Sequence, residues 1–219
     1  MPPSCCGAGY FRRLRRALPE EIDVLALELP GHGRRYAEPY LTSASAVVAD
    51  ALARIEGPVD IIYGESLGAY VGLALVAALS EGRRPALVAA SNVPPARQRE
   101  VSAADVATSQ AAVATFTSMG GAIASEVLTD PHLAAGAFPM IRSDLLLSRS
   151  FVECVRTTSV PGNVTVLAGD RDNSLSGLHT WAAHTTGRCS VEVLPGDHLL
   201  AGSNPSGVAD ALLSVLSEV

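Results

Sequence analysis

Short apolar runs without polar alternation recur along the chain and predict strands buried on both faces of a parallel sheet. They cover residues 22–29, 59–63, 86–90, 164–168 and 191–194. Stretches with helical spacing separate them, at residues 45–55, 67–80, 177–184 and 205–217. This alternation is typical of an α/β fold, in which helices flank a mostly parallel central sheet.

Residues 93–160 interrupt this alternation, because they contain no convincing strand. They predict helices at about 103–119, 123–128, 131–137 and 139–156. Insertions above strand ends commonly act as lids or binding elements, and a packing subdomain without substrate contact is the alternative. We therefore expect a single domain of residues 1–219 with a helical lid insertion at about 93–160.

A predicted strand runs into a Gly-x-Ser-x-Gly motif, and a predicted helix follows. The motif is Gly64-Glu65-Ser66-Leu67-Gly68. In α/β-hydrolases this arrangement places the serine on a tight strand-to-helix turn, and the N-terminus of the helix faces a developing oxyanion. The sequence thus predicts Ser66 as a nucleophile and the backbone N–H of Leu67 as the first oxyanion donor.

His198 is the predicted base for this serine. In the α/β-hydrolase fold the chain order is serine, acid, histidine, with the last two on loops after later strands. The loop Pro195-Gly196-Asp197-His198 follows the last predicted strand. The remaining histidines fit structural or surface positions better, and they are His32, His132, His179 and His184.

The acid is expected after the preceding strand, where the sequence reads Gly169-Asp170-Arg171-Asp172. Asp172 is favoured, because the residues after Gly169 let the loop turn before it presents this side chain. Asp170 is the alternative, and a loop-stabilising role beside Arg171 suits it better. Asp197 is a poor candidate, since its carboxylate should point away from the ring of the adjacent histidine.

Composition excludes several other classes of protein. The net charge of the 219 residues is −6, whereas a nucleic-acid binder usually has a basic excess. No apolar run reaches the about 18–20 residues of a bilayer span, and no signal peptide is visible. We expect a cytoplasmic monomer without a bound metal. Its four cysteines fit no zinc spacing and are expected to be free thiols: Cys5, Cys6, Cys154 and Cys189.

Further motifs lie outside the predicted triad. They include Pro2-Pro3, Tyr10-Phe11-Arg12-Arg13-Leu14, Leu29-Pro30-Gly31-His32-Gly33-Arg34-Arg35, Met119-Gly120-Gly121, Pro139-Met140-Ile141-Arg142-Ser143-Asp144 and Trp181. Together with the serine motif and the two later loops, they resemble the type II thioesterases of polyketide and nonribosomal peptide synthesis. The resemblance covers nearly the whole chain.

The resemblance implies a discrete enzyme that hydrolyses acyl thioesters on the phosphopantetheine arm of acyl or peptidyl carrier proteins. It implies Ser66 as nucleophile, His198 as base and Asp172 as the residue that orients the base. The backbone N–H of Ser4 would be the second oxyanion donor, and the insertion would shape the acyl channel. No cofactor is implied, because phosphopantetheine is part of the substrate.

The chain departs from the family pattern at several points, among them Ser4-Cys5-Cys6, where smaller alanine or glycine residues are often found. An apolar strand usually precedes the Pro2-Pro3 loop, so the first strand of the sheet is expected to be missing or truncated. Glu65 stands where histidine is commoner, and Asn173-Ser174 replaces a proline. Two alternative functions remain: a chain-releasing cyclase or small-ester hydrolase with the same triad, and a catalytically degenerate carrier-binding protein.

Overall fold

The computed structural model describes residues 1–79 and 85–218. Within them, a four-stranded parallel sheet has the order β1-β2-β3-β4. The strands are β1 Ile61–Glu65, β2 Ala86–Ala90, β3 Val164–Gly169 and β4 Cys189–Leu194. The predicted α/β class is confirmed, and these four strands lie close to their predicted positions.

The register of the sheet brings the strand ends to one edge. Every residue of β2 is buried, because this strand lies between β1 and β3 and is covered on both faces. Ala90, at its end, is in register with Glu65 on one side and Leu167 on the other. Loops that leave the carboxyl ends of parallel strands therefore converge above this edge, which is where α/β proteins place their sites.

The strand predicted at residues 22–29 is wrong. Leu27 and Leu29 are buried in the core, which explains the apolar pattern. A strand also needs a neighbour with which to form a hydrogen-bonded ladder. Among the residues that the structure describes, no strand precedes β1, so none pairs with this segment.

Met1 lies along the outer edge of β1. Its carbonyl accepts a hydrogen bond from the N–H of Glu65 at 3.2 Å, and its amino group donates one to the carbonyl of Tyr63 at 2.6 Å. Burial lowers the pKa of this amino group to about 5, against an opposing effect of the Glu65 charge. The group is therefore a neutral donor at pH 7.

Helices cover both faces of the sheet. They are α1 Arg12–Ala17, α2 Ala44–Leu52, α3 Leu67–Leu79, α4 Ser109–Ser118, α5 Ser125–Thr129, α6 Pro131–Val155, α7 Leu200–Ser203 and α8 Pro205–Leu216. On one face α3 and α6 bury Tyr70 and Phe151, and on the other α1 and α8 bury Leu14 and Leu212. In the described part of the chain, no helix has the combined length and apolar character needed to cross a bilayer.

Two predicted helices differ from expectation, one in the residues that the structure describes and one in helix type. The helix predicted at 67–80 includes Ser80, which lies outside the described residues. The helix predicted at 177–184 is a 3₁₀ helix, Leu178–His184.

The helix predicted at 103–119 is divided in two. A 3₁₀ turn covers Ala104–Val106, and α4 begins after Thr108. The Thr108 hydroxyl accepts a hydrogen bond from the N–H of Ala111 at 3.1 Å. A threonine in this position satisfies a free N–H of the first turn and favours a new helix start.

The helices predicted at 131–137 and 139–156 are a single helix, α6, which continues through Pro139. A proline inside a helix removes one hydrogen bond and costs about 3 kcal/mol. Packing after the proline offsets this cost, because Ile141 and Leu145 are buried in an apolar cluster with α4. The segment between β2 and β3 thus has its own small core.

Candidate active site

Ser66 lies on the turn between β1 and α3, at the carboxyl edge of the sheet. Its φ of 54° is in the left-handed region, which costs a non-glycine residue about 1–2 kcal/mol. Its N–H donates a hydrogen bond to the carbonyl of Ala90 at 2.9 Å and so holds the turn against β2. The turn also requires glycine, because a Cβ on Gly64 would collide with the carbonyl of Gly68.

The structure brings Ser66, His198 and Asp172 together in one hydrogen-bonded chain. His198 Nε2 lies 3.0 Å from Ser66 Oγ, and His198 Nδ1 lies 2.7 Å from Asp172 Oδ2. The Asp172 side chain is 2% exposed and that of His198 is 12% exposed. One ring nitrogen can therefore hold a proton for the carboxylate while the other accepts the proton of the serine hydroxyl.

Ser174 completes the environment of Asp172. Its backbone N–H and its hydroxyl donate to Asp172 Oδ1 at 3.0 and 2.5 Å. Burial raises the pKa of Asp172, but the hydrogen bonds from His198 and Ser174 and the charge of His198 outweigh it, and the net shift is downward. No role of Ser174 beside the acid was expected from the sequence, although an Asp-x-Ser spacing is a known turn signal that could have indicated it.

Asp170, the alternative acid, supports the loop that carries His198. Its Oδ1 accepts a hydrogen bond from the N–H of Gly196 at 2.8 Å and lies 3.4 Å from a guanidinium nitrogen of Arg171. Arg171 also donates to Asp197 at 2.8 Å. Asp170 and Asp197 are thus engaged away from the ring of His198.

The other histidines lie apart from this chain of hydrogen bonds. His32 and His184 are buried, with ring nitrogens bonded to the carbonyls of Pro30 and Thr158 respectively. His132 is exposed, and so is His179, which lies in the 3₁₀ helix after β3.

The predicted oxyanion donors lie around the same cavity as Ser66. Leu67 is the first residue of α3, so its N–H has no intrahelical acceptor. Ser4 lies beside Cys5, whose φ is 62° and whose N–H donates to Asp144 Oδ2 at 2.6 Å. No acceptor for the Ser4 N–H occurs among the described residues. Leu67 and Ser4 therefore present free donors close to Ser66.

Cys5 and Cys6 also line this cavity, but their thiols are poor nucleophiles. Burial, together with nearby carboxylates, raises the pKa of Cys5 far above its ordinary value and that of Cys6 to about 11. Both thiols stay protonated at pH 7. All four cysteines are free, as predicted.

A cavity of about 120 Å³, the first cavity, lies over Ser66 and His198. Apolar side chains of the inserted segment form part of its wall, including Phe116, Met119 and Leu145. Gly120 of the same segment has a φ of 90°, and a Cβ there would collide with the His198 ring. The inserted segment is therefore in direct contact with the residues at the strand ends.

Two further residues support the turn of Ser66, and the sequence analysis assigned neither a role. Asn92 follows β2 and donates to the carbonyl of Ser66 at 2.7 Å. Glu65 is fully buried and accepts hydrogen bonds from the hydroxyls of Tyr10 and Tyr63, each at 2.8 Å. The place of Asn92, two residues after the end of a parallel strand, is a signal that could have indicated it.

Known proteins share both the sequence pattern and the fold. The thioesterase domain family matches residues 1–216. Thioesterase PikA5 of Streptomyces venezuelae is 28% identical over 210 residues, which cover 90% of this chain and 73% of PikA5. The AMB antimetabolite synthetase AmbE of Pseudomonas aeruginosa is 27% identical over 217 residues, which cover 90% of this chain and 10% of AmbE. The chain thus corresponds to a small part of that synthetase.

The fold is also that of a solved structure from a biosynthetic pathway. ClbQ from the colibactin NRPS/PKS pathway superposes with a TM-score of 0.84 at 24% identity, over 99% of this chain and 95% of ClbQ. The fold class expected from the serine motif, a parallel sheet flanked by helices, is confirmed by the strand order and by the family match. Because the family match extends over nearly every residue, the chain belongs to the thioesterase domain family.

Proposed function

We propose that this chain is a type II serine thioesterase, which hydrolyses acyl thioesters from the phosphopantetheine arm of acyl or peptidyl carrier proteins. The observation that carries the proposal is the chain of hydrogen bonds from Ser66 through His198 to Asp172, at 3.0 and 2.7 Å. Family membership supports thioester hydrolysis. Relatives whose names refer to antibiotic or NRPS/PKS biosynthesis support a carrier-bound substrate.

The first half-reaction transfers the acyl group to Ser66. His198 Nε2 takes the hydroxyl proton while Oγ attacks the thioester carbonyl, and the carbonyl electron pair moves onto the oxygen. The N–H groups of Leu67 and Ser4 stabilise this oxyanion, and one such donor is typically worth about 3–4 kcal/mol. When the carbonyl re-forms, the carbon–sulfur bond breaks and His198 protonates the departing thiolate.

The second half-reaction releases the acid. His198 takes a proton from water, the hydroxide attacks the acyl-serine carbonyl, and Ser66 leaves with the proton returned by His198. Asp172 holds the Nδ1 proton throughout and stabilises the charged imidazole. Each step uses side chains and water, so we propose that turnover needs no added metal or cofactor.

The test is release of acyl groups from a panel of acyl-loaded carrier proteins by wild type and Ser66→Ala. We expect the variant to lose release by about 10⁴-fold or more, since its nucleophile is gone. Ser214→Ala, at an exposed site on α8, is the matched control and should retain full activity. Wild-type turnover in Ser66→Ala would refute the mechanism.

Two further measurements separate the alternatives. Product masses distinguish a free acid from a lactone or lactam, which a chain-releasing cyclase would form. A fluorophosphonate probe reacts only with an activated serine, so labelling of wild type but not of Ser66→Ala excludes a degenerate carrier-binding protein. Faster turnover of simple oxygen esters than of matched thioesters would favour an ordinary esterase.

A further inference from the structure

Glu65 is a buried carboxyl group that the proposed mechanism does not use. It is the last residue of β1, pairs in register with Ala90 of β2, and directly precedes Ser66. It is 0% exposed. It is not among the described residues that line the first cavity or the second, of about 400 Å³, beside it. A substrate in either cavity therefore does not touch Glu65, and an ionisable group buried away from the substrate needs another explanation.

The hydrogen bonds of Glu65 connect it to the segment that follows His198. The backbone N–H of Ala201 donates to both carboxyl oxygens, Oε1 at 3.4 Å and Oε2 at 3.3 Å. The Tyr10 hydroxyl donates to Glu65 Oε1 at 2.8 Å and accepts a hydrogen bond from the N–H of Gly202 at 3.2 Å. Glu65 thus contacts this segment twice, directly at Ala201 and through Tyr10 at Gly202.

The segment after His198 depends on such outside support. It forms α7, a helix of four residues, which is too short to be stable by itself. The N–H groups in the first turn of a helix have no acceptor within the helix. Leu199 precedes α7, and its apolar side chain cannot accept a hydrogen bond from them. The carboxyl group of Glu65 supplies an acceptor from a distant part of the chain.

We propose that Glu65 is a positioning residue, which joins the turn of Ser66 to the segment after His198 and so holds the nucleophile and the base within reach of each other. The inference rests on the proposed function. Ser66 Oγ and His198 Nε2 are 3.0 Å apart, and proton transfer between them requires a separation within hydrogen-bond reach. Glu65 is covalently bonded to Ser66, and its side chain holds an N–H three residues after His198.

The loop of His198 is then supported on both sides. Before it, the carboxylate of Asp170 accepts a hydrogen bond from the N–H of Gly196 at 2.8 Å. After it, the carboxyl group of Glu65 accepts from the N–H of Ala201. Asp170 directly follows β3 and Glu65 ends β1, so both supports are fixed by the central sheet.

Two tyrosines bonded to the same carboxyl group provide a matched pair of variants. Tyr10 and Tyr63 each donate to Glu65 at 2.8 Å, so Tyr10→Phe and Tyr63→Phe both remove one hydrogen bond to it. Among the described residues, the N–H of Gly202 bonds to the hydroxyl of Tyr10 and not to that of Tyr63. The pair therefore separates loss of a bond to Glu65 from loss of the contact with α7.

The assay measures kcat and KM for hydrolysis of one acyl N-acetylcysteamine thioester. We expect Tyr10→Phe to lower kcat about tenfold and Tyr63→Phe to leave kcat within about twofold of wild type. The KM should stay unchanged in both, because His198 acts in both half-reactions. The rate of labelling of Ser66 by a fluorophosphonate probe should fall by the same factor as kcat.

Glu65→Gln tests the carboxyl group itself. Glutamine leaves one acceptor oxygen for three donors, namely the hydroxyls of Tyr10 and Tyr63 and the N–H of Ala201. We expect kcat to fall about three- to tenfold at constant KM. In the double variant with Tyr10→Phe, the two losses should combine to less than their product, because both weaken one connection. Glu192→Gln, at an exposed position of β4, is the control and should retain wild-type kcat.

Urea unfolding of each variant separates positioning from a merely structural role. Similar losses of stability in Tyr10→Phe and Tyr63→Phe, with a lower kcat in Tyr10→Phe alone, would support the proposal. Equal kcat values in the two variants, or a higher KM at constant kcat, would overturn it. If Tyr10→Phe does not fold, Glu65→Gln decides, and an unchanged kcat in that variant would overturn the proposal.

The proposed function fails in a different way. It fails if Ser66→Ala still hydrolyses the N-acetylcysteamine thioester, or if wild type hydrolyses neither this thioester nor acyl-loaded carrier proteins. The two failures are therefore distinguishable in one set of assays.

Discussion

The carboxylate of Asp144, on helix α6, accepts a hydrogen bond from the backbone N–H of Cys5 over 2.6 Å. The same oxygen lies 3.2 Å from Nε2 of His32, and both side chains are buried. Burial lowers the pKa of His32, but the hydrogen bond and charge of Asp144 outweigh it and the net shift is upward. A buried hydrogen bond thus joins the inserted segment to the loop that carries Ser4.

Asp144→Asn should lower kcat more than it changes KM. The amide weakens the hold on the Cys5 N–H and removes the charge opposite His32, so the Ser4 N–H is less well placed for the oxyanion. We expect kcat to fall by roughly one to two orders of magnitude, less than loss of an oxyanion donor at its most costly. Steady-state kinetics on an acyl thioester would measure this.

The matched control for this prediction is Glu153→Gln, which alters an exposed carboxylate on the same helix. It should leave both constants unchanged. If Asp144→Asn instead raises KM at constant kcat, Asp144 acts on substrate binding and the positioning role is incorrect.

Gly120→Ala should impair activity through the ring of His198. The new Cβ collides with that ring, and a φ of 90° is strained for any residue with a side chain. A misplacement of about 1 Å can cost about a hundredfold in rate, so kcat should fall by roughly that factor. Gly136→Ala is the control, because the space around Gly136 is open.

The control variant Gly136→Ala should also be more stable than wild type. Gly136 lies inside α6, where alanine is favoured over glycine by about 1 kcal/mol. We expect Gly136→Ala to unfold at a higher urea concentration with unchanged kcat. Equal activity of the Gly120 and Gly136 variants would show that the contact with His198 is unimportant.

Asp172→Asn should distinguish the orienting acid from its neighbour. An asparagine cannot hold the imidazole in the required tautomer, and kcat should fall by about 10³–10⁴-fold. Asp170→Asn retains an oxygen that can accept a hydrogen bond from the N–H of Gly196. Its fold decrease in kcat should therefore be only a few per cent of the fold decrease in Asp172→Asn. A larger effect at Asp170 than at Asp172 would reverse the assignment.

Glu65→Gln should change how stability depends on pH. Burial raises the pKa of Glu65 above its ordinary value of 4.5, although hydrogen bonds from Tyr10, Tyr63 and Ala201 oppose the shift. A raised pKa means that the folded protein holds the proton more tightly. The resulting stabilisation is present in full below pH 4.5 and is lost as pH rises through the folded-state pKa.

The measurement is urea unfolding of wild type and Glu65→Gln at several pH values. Glutamine stays neutral at every pH. The free energy of unfolding of the variant, relative to that of wild type, should therefore increase as pH rises above about 4.5. Glu192→Gln, at an exposed position of β4, should show no such pH-dependent increase in the free energy of unfolding relative to wild type. A pH-independent difference for Glu65→Gln would contradict the raised pKa.

Local pattern was sufficient to find the residues at the strand ends. Ser66, Asp172 and His198 each follow an apolar strand of a parallel sheet, and that topology brings them to one edge. Local pattern could not show that the strand predicted at 22–29 is absent. The burial of Leu27 and Leu29 gives it the apolar pattern of a strand, whereas strand identity depends on a partner elsewhere in the chain.

Contacts between segments that are far apart in sequence could not be predicted from local patterns. Asp144 and Cys5 are 139 residues apart in sequence, and only packing of α6 over the N-terminal loop brings them together. The continuity of α6 through Pro139 depends in the same way on the apolar cluster with α4. Ser91 Oγ is buried without a hydrogen-bond partner among the residues that the structure describes, and no local pattern indicates this, because it follows from the surrounding fold.

Ser66 and Ser91 follow neighbouring strands and have the same φ of 54°. The N–H of Ser66 is bonded to the carbonyl of Ala90, and the N–H of Ser91 to that of Leu167, each at 2.9 Å. Each strained turn is thus held by a hydrogen bond to the next strand of the sheet: the turn after β1 to β2, and the turn after β2 to β3. Loosened pairing between β2 and β3 would therefore displace the serine at the end of β1, although the hydrogen-bond partner found for its hydroxyl among the described residues is His198, which lies on neither strand.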